Sequence, residues 1–254
     1  MPSINRPSPI ELTRLEAVAR RLNDAWSDFT AVEVLRNTFT ESGFIKNPVL
    51  VSSFGADSAV LLHLLSLVDP SAEVVFLDTG FHFDETLTYR RELTRALGLT
   101  KVRVARVDPL AAKRHDALGR LHRDQPDACC ELRKVNTLDR HLRMNDAWIS
   151  GQRQAQASTR LELQCVEVDR LRGKLKINPL AQWSDHEIAA YKQVNDLLEH
   201  PLESEGFLSV GCAPCTSPVI AGEDSRAGRW RGSSKLECGL HNRAHIITSS
   251  ENVA

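Results

Sequence analysis

Between residues 48 and 107 short β-branched runs alternate with amphipathic stretches, and this restricts the fold more than any other feature. Pro48-Val49-Leu50-Val51-Ser52-Ser53 is a short apolar run that stops near a glycine, and Glu73 to Leu77 and Lys101 to Val107 are two more. Each reads as a buried strand. Between them lie two helical stretches: Ser58 to Val68, with Asp57 or Ser58 at its start and Asp69-Pro70 at its end, and Phe83 to Leu97, closed by Gly98. Strand and helix in this succession are βαβ units, so the expected fold class is α/β, a single parallel-sheet domain with helices on both faces. Helices are also expected over residues 9 to 24, where Ile10, Leu12, Leu15, Val18, Ala19 and Leu22 recur at threes and fours, and over Ala31 to Phe39 after the cap residue Thr30. Ala147 to Gly151 and the alternating Leu161 to Val168 read as strands. Ser184 with Glu187 three residues on is a capping box that opens a helix to Asn195. Beyond Pro201 glycines recur and regular structure is expected to be sparse, a tail folded over the sheet.

The 254 residues suffice to bury a core, and 42% hydrophobic with 26% charged residues excludes a disordered or fibrous chain. The formal charge of -1 argues against a surface built for nucleic acid, although it leaves room for a local basic pocket. The longest apolar run, Ala59 to Val68, is about half of the ~20 residues that span a membrane. The first residues have no apolar core of a secretory signal. The expected compartment is therefore the cytoplasm, where the six cysteines stay reduced rather than forming a disulfide framework.

Four motifs carry chemistry. Ser52-Ser53-Phe54-Gly55-Ala56-Asp57-Ser58 joins a strand to a helix, so small residues and a helix N-terminus face an approaching anion. The plain alternative is a βα turn with a cap. The loop is no Walker motif, since no Gly-Lys-Ser/Thr follows. It resembles the pyrophosphate loop of the adenine-nucleotide hydrolase-like (Rossmann-like) superfamily, with Phe54 where members that cleave ATP to AMP often have a second glycine; this disfavours a triphosphate site. Leu77-Asp78-Thr79-Gly80 ends the next strand, on the edge where parallel sheets bind ligands, and is otherwise an ordinary Asp/Gly turn. Cys129-Cys130 and the Cys212-Ala213-Pro214-Cys215 CxxC supply four thiolates. These suit zinc or an iron–sulfur cluster, and adjacent cysteines serve two irons of a cube better than one tetrahedral ion. A vicinal disulfide or a redox CxxC remain alternatives. Glu237-Cys238-Gly239-Leu240-His241 sets a lone cysteine on the glycine-flanked tail with cations nearby, a setting for a nucleophilic thiolate or an incidental exposed thiol.

Taken in order, these motifs resemble the assimilatory sulfonucleotide reductases, and within them the iron–sulfur type that acts on adenosine 5′-phosphosulfate (APS). The resemblance runs from about Val49 to His241. It also includes Cys129-Cys130-Glu131-Leu132-Arg133-Lys134, Gly151-Gln152-Arg153, Ser158-Thr159-Arg160, Lys176-Ile177-Asn178-Pro179-Leu180 and Gly228-Arg229-Trp230. It implies that APS is reduced to sulfite and AMP in assimilatory sulfate reduction. Cys238 would be the nucleophile, forming an S-sulfonate, and thioredoxin, or else glutaredoxin, the dithiol donor. It implies one 4Fe-4S cluster held by Cys129, Cys130, Cys212 and Cys215, and Lys134 as a catalytic cation between cluster and sulfate. Substrate contacts would come from Ser52, Ser53, Gly55, Asp57, Leu77, Asp78, Thr79, Arg160, Arg226, Arg229 and His241. Arg133 and Cys165 read as structural. The expected division is 1–44 for N-terminal helices on the core, 45–200 for a nucleotide-binding α/β core, and 201–254 for the cluster loop and a mobile C-terminal tail.

Three other readings compete. A 3′-phosphorylated substrate (PAPS) is disfavoured because reductases of that kind generally lack both cysteine pairs, though some cluster-bearing members take both substrates. An ATP-dependent tRNA-thiolating enzyme is disfavoured by the net charge and Phe54. A redox sensor leaves the nucleotide motifs without a role. Homo-oligomerisation is left open.

Overall fold

Val49, Leu50 and Val51 lie at the centre of a six-stranded sheet in a computed structural model that describes residues 7–41, 43–233, 235 and 237–240. In chain order the elements are α1 (Pro9–Ala25), α2 (Ala31–Arg36), β1 (Pro48–Ser52), α3 (Ser58–Val68), β2 (Val74–Asp78), α4 (Asp84–Ala96) and β3 (Val102–Arg106). There follow α5 (Pro109–His115), α6 (Leu121–Asp124), α7 (Pro126–Cys130), α8 (Asn136–His141), β4 (Ala147–Ile149), β5 (Val166–Asp169), β6 (Lys174–Ile177) and α9 (Asp185–Val194).

The strand order is β3-β2-β1-β4-β6-β5. The expectation of a parallel sheet needs one correction: β5 runs antiparallel to β6, at the edge, while the other pairings are parallel. Successive residues of each strand face opposite sides. Leu50, Val74, Phe76 and Ile149 pack with α1 to α4 and α9, whereas Val49, Val75, Leu77 and Trp148 pack with Leu138 of α8 and Leu142 after it. Helices thus cover both faces. The chain winds outward from β1 through β2 to β3 and then returns to place β4 on the other side of β1. This reversal opens a crevice between the carboxyl ends of β1 and β4, where open α/β sheets bind ligands.

The expected strand Leu161 to Val168 forms only from Val166. Register explains the shortfall: Val166 pairs with Ile177, and the Asn178 N–H donates to the Cys165 carbonyl at 2.7 Å. The next partner is Pro179, which has no N–H to continue the ladder. Residues 161 to 165 turn instead, and Cys165 packs against the core, where burial pushes its thiol up to about 12. Strand β6 and the short helices α5 to α8 go beyond the elements read from periodicity. The capping boxes of Ser8, Thr30 and Ser184 are all closed.

A buried histidine makes one part of this framework acid-sensitive. His200 is 1% exposed. Its Nδ1 accepts from the Leu202 N–H at 3.3 Å, so Nε2 bears the proton and donates to Thr86 Oγ1 at 3.0 Å. This network needs the neutral ring, and burial lowers the pKa from 6.5 to about 4. Between those values the unfolded chain binds a proton that the folded chain does not, so stability should be complete above pH 6.5 and fall on acidification towards pH 4, by roughly 3 kcal/mol. Urea unfolding across this range should show the loss. His200→Gln should be less stable at pH 7 but lack this part of the pH dependence.

Candidate active site

The loop after β1 forms one wall of the crevice. Ser52 Oγ accepts from the Phe54 N–H at 3.1 Å, and Phe54 takes φ 49°, a left-handed conformation that a glycine would adopt without strain. The Phe54 ring turns into the core, edge-on to Phe76, so its bulk is not part of the crevice wall. Ser52, Ser53, Gly55 and Asp57 line the crevice, joined by Leu77 from β2 and by Ser150, Gly151 and Gln152 from the turn after β4. Asp57 pairs with the buried Arg153 at 2.7 Å, which ties the loop after β1 to the turn after β4.

The chain beyond Pro201 closes the crevice from above. It supplies Ser209 to Cys212, Arg226, Arg229, Trp230, Glu237 and Cys238, and the partly open cavity measures about 210 Å³. Two glycines there serve close contact rather than the freedom expected of a tail. A Cβ on Gly228 would lie 2.0 Å from the Ser217 carbonyl oxygen, and one on Gly211 would lie 2.3 Å from the Arg229 guanidinium. The turn from Ser217 to Gly228 and the stacking of Arg229 on Gly211 therefore require the absence of a side chain.

Cations dominate the cavity. Lys134, Arg160, Arg226 and Arg229 reach it, against the carboxylates of Asp57 and Glu237. Asp57 is engaged by Arg153, and Glu237 by Arg160 and Arg226. Arg229 sits over Trp230, 4.7 Å from the ring centre, with a long 3.5 Å contact to Ser209 Oγ. Among the described residues no carboxylate pairs with Arg229 or Lys134. Burial lowers the pKa of Lys134, but Cys212, Cys238 and Cys130 in their thiolate form outweigh it and raise the ammonium above its ordinary value.

Behind Lys134 lies a second, smaller cavity, lined by all four of Cys129, Cys130, Cys212 and Cys215. Cys129 and Cys130 end α7, where the helix widens into a π turn over Glu131–Val135. Such turns are frequent at functional sites, and this one swings Lys134 towards the crevice while Arg133 stays buried. Arg133 is structural, pairing with Asp116 at 2.7 Å, donating to the Thr79 carbonyl at 2.8 Å and stacking on Phe81. Cys212 is fixed by a bridge to His82 and by Thr79 Oγ1 at 3.2 Å, and Cys215 ends a 3-10 turn begun at Ala213. None of the six cysteines is in a disulfide. Burial, reinforced by Cys130, Cys212 and Cys215, pushes the Cys129 thiol up to about 12; burial also raises Cys130 and Cys215. The four do not close on a point: among the described residues no three His, Cys, Asp or Glu side chains form a site for a single ion. Lys134, Cys212 and Trp230 line both cavities and form the partition between them.

Some expected residues fall elsewhere. Asp78 accepts from the Gly80 N–H at 3.0 Å and pairs with Arg106, so it shapes its own turn. Thr79 faces the cysteine cavity. His241 lies outside the described residues. Three residues join the site that motif reading left unassigned. Arg153 holds Asp57. Lys176 of β6 is buried beside Glu167 and Gln152, with burial and Arg160 lowering it to about 8. His82 donates from Nε2 to the Leu77 carbonyl at 2.9 Å and keeps a buried Nδ1 with no hydrogen-bond partner among the described residues; burial lowers its pKa. Only a histidine beside an Asp/Gly turn hinted at the last.

No helix among the described residues is long and apolar enough to cross a membrane. Residues 47–218 match the model of the phosphoadenosine phosphosulfate reductase domain family. The chain is 44% identical over 225 residues to adenosine 5′-phosphosulfate reductase of Mesorhizobium japonicum, covering 89% of this chain and 87% of that protein. It is 42% identical over 237 residues to phosphoadenosine 5′-phosphosulfate reductase of Gloeobacter violaceus, covering 91% and 95%. A crystal structure of phosphoadenylyl-sulfate (PAPS) reductase from Candida auris superposes with a TM-score of 0.67 at 26% identity, over 79% of this chain and 96% of that one. With the strand order, the crevice at the sheet reversal and the cysteine cavity behind it, these matches show that the chain belongs to the phosphoadenosine phosphosulfate reductase domain family.

Proposed function

We propose that this chain reduces adenosine 5′-phosphosulfate to sulfite and AMP in sulfate assimilation, with a 4Fe-4S cluster on Cys129, Cys130, Cys212 and Cys215 and thioredoxin, or glutaredoxin, as the dithiol donor in the cytoplasm. The observation that carries the reading is the partition: Lys134 and Cys212 stand between a crevice lined by Cys238 and a cavity lined by Cys129, Cys130, Cys212 and Cys215. The four cysteines fit such a cluster. They are buried and free of disulfides, they surround a cavity rather than a point, and burial keeps at least three of them protonated unless positive charge arrives. Cluster iron, when bound, would supply that charge. When bound, the cluster would order the two cysteine-bearing segments and set the negative charge that Lys134 faces.

The chemistry follows from the crevice. The 5′-phosphate rests on the loop of Ser52, Ser53 and Gly55 at the N-terminus of α3, with the nucleoside along Asp57 and Leu77. The sulfate lies towards Lys134 and Arg229, the cations with no carboxylate partner among the described residues, with Arg226 at their edge. Cys238 Sγ attacks sulfur; the S–S bond forms as the S–O bond to AMP breaks, and AMP leaves with the electron pair. A donor thiolate then attacks Cys238 Sγ and sulfite departs. The second donor thiol resolves the mixed disulfide, so the dithiol is oxidised and Cys238 is restored as a thiol. For that second stage the segment after Ser217 must open.

Sulfite release should be measured with APS and PAPS in parallel, with reduced thioredoxin. Turnover of APS alone is expected. Turnover of PAPS alone would instead align the chain with the Gloeobacter relative. Lys134→Ala should retain the fold and lose on the order of 10² to 10³ in kcat, with weaker substrate binding, because a preorganised cation beside the reacting sulfate is removed. An unchanged kcat/KM would end this role for Lys134.

A further inference from the structure

Glu237 immediately precedes Cys238, and its carboxylate closes the fork of a buried arginine. Arg160 Nε donates to Oε1 at 2.7 Å and Nη2 to Oε2 at 2.8 Å, while Arg226 Nη2 donates to Oε2 at 3.2 Å. Thr159 Oγ1 adds a contact at 3.4 Å, and the remaining Arg160 nitrogen, Nη1, donates to Gln156. The Glu237 side chain is 10% exposed and that of Arg160 8%. Burial would raise the carboxyl pKa, but the two guanidiniums outweigh it and keep Glu237 ionised. Among the described residues of this segment, Lys235, 6% exposed, also pairs with Asp127, but that carboxylate is 75% exposed and not desolvated. Exposed pairs contribute little, whereas breaking a desolvated bidentate pair is costly.

We infer that Glu237 is a positioning residue, a latch whose carboxylate, gripped by Arg160 and Arg226, seats the Cys238 thiol in the crevice. The inference rests on Cys238 as the nucleophile. It gives Arg160 the task of holding the tail and leaves Lys134 and Arg229 to meet the substrate anion. Opening the latch exposes two buried guanidiniums, which the anion of a bound nucleotide can cover. Loss of the Glu237 charge should therefore impair the seating of the thiol without weakening nucleotide binding.

The test is alkylation of Cys238 by iodoacetamide in the iron-loaded protein, read by peptide mass as the limiting rate above the thiol titration, so that altered ionisation does not contribute. Glu237→Gln should raise this rate about tenfold, in keeping with the loss of a charge-assisted pair. It should lower kcat by a similar factor without raising KM for APS, and Glu237→Asp should recover part of both. Adding Arg160→Gln to Glu237→Gln should increase labelling no further, since both remove one contact. If Glu237→Gln does not fold, Arg226→Gln is read instead, and its Cys238 should label faster than wild type. Unchanged labelling, or a higher KM at unchanged kcat, would overturn the latch. A wild-type protein that releases no sulfite from APS would overturn the proposed function, while the labelling comparison would still decide the latch.

Discussion

Replacing Cys238 by serine should abolish sulfite release from APS while leaving the purified protein coloured. Sulfur in a sulfonucleotide requires a soft, strong nucleophile, and a serine hydroxyl is neither soft nor ionised near neutral pH. Loss of a covalent nucleophile leaves only binding and electrostatics, a deficit on the order of 10⁴ or more. The colour should persist because Cys238 lines the crevice, whereas the cavity of the four cysteines does not include it. Lys134, Lys176 and Arg226 all lie within electrostatic reach of this thiol, so the serine variant keeps its cationic surroundings. Turnover, iron content and absorbance near 400 nm, measured on one preparation, decide the matter. Loss of iron would mean that ligand and nucleophile had been interchanged.

Single replacement of Cys129, Cys130, Cys212 or Cys215 by serine should remove both iron and activity. Each side chain lines the small cavity, and a site left with three thiolates holds a cluster poorly. The damage should reach beyond the cavity. Cys212 is bridged to His82 and bonded to Thr79, and Cys130 lies one turn from Lys134. Loosening either segment therefore moves the partition on which Lys134 stands. Iron analysis and sulfite release should fall together. A variant with full iron content and full rate would remove that cysteine from the ligand set.

Much of the framework was legible because its signals are short-range. Ser58–Val68 is a helix with the bounds its apolar run implies, and Ser184 with Glu187 forms the capping box that three-residue spacing requires. The three strands between residues 48 and 107 pair in parallel as βαβ units must. Leu161 to Cys165 misled because alternation describes a strand's own faces and says nothing of its neighbour; Pro179, on the partner segment, ended the ladder. The stretch 109–144 breaks into helices too short for periodicity to register.

The site divides in the same way. By itself the sequence determined which groups are present: a small-residue loop before a helix, two cysteine pairs, a lone cysteine on a glycine-rich tail, and arginines of unassigned partner. Those are properties of residue type and near-neighbour spacing. Only the tertiary structure decided that the chain reverses between β1 and β4 and that Asp78 and Thr79 turn away from the crevice. It also brought Glu237 to Arg160 across 77 residues of sequence and Arg153 to Asp57 across 96. A charge binds whatever the folded chain sets within about 3 Å of it, and in an α/β fold that neighbour is chosen by strand order and crossover, not by distance along the sequence.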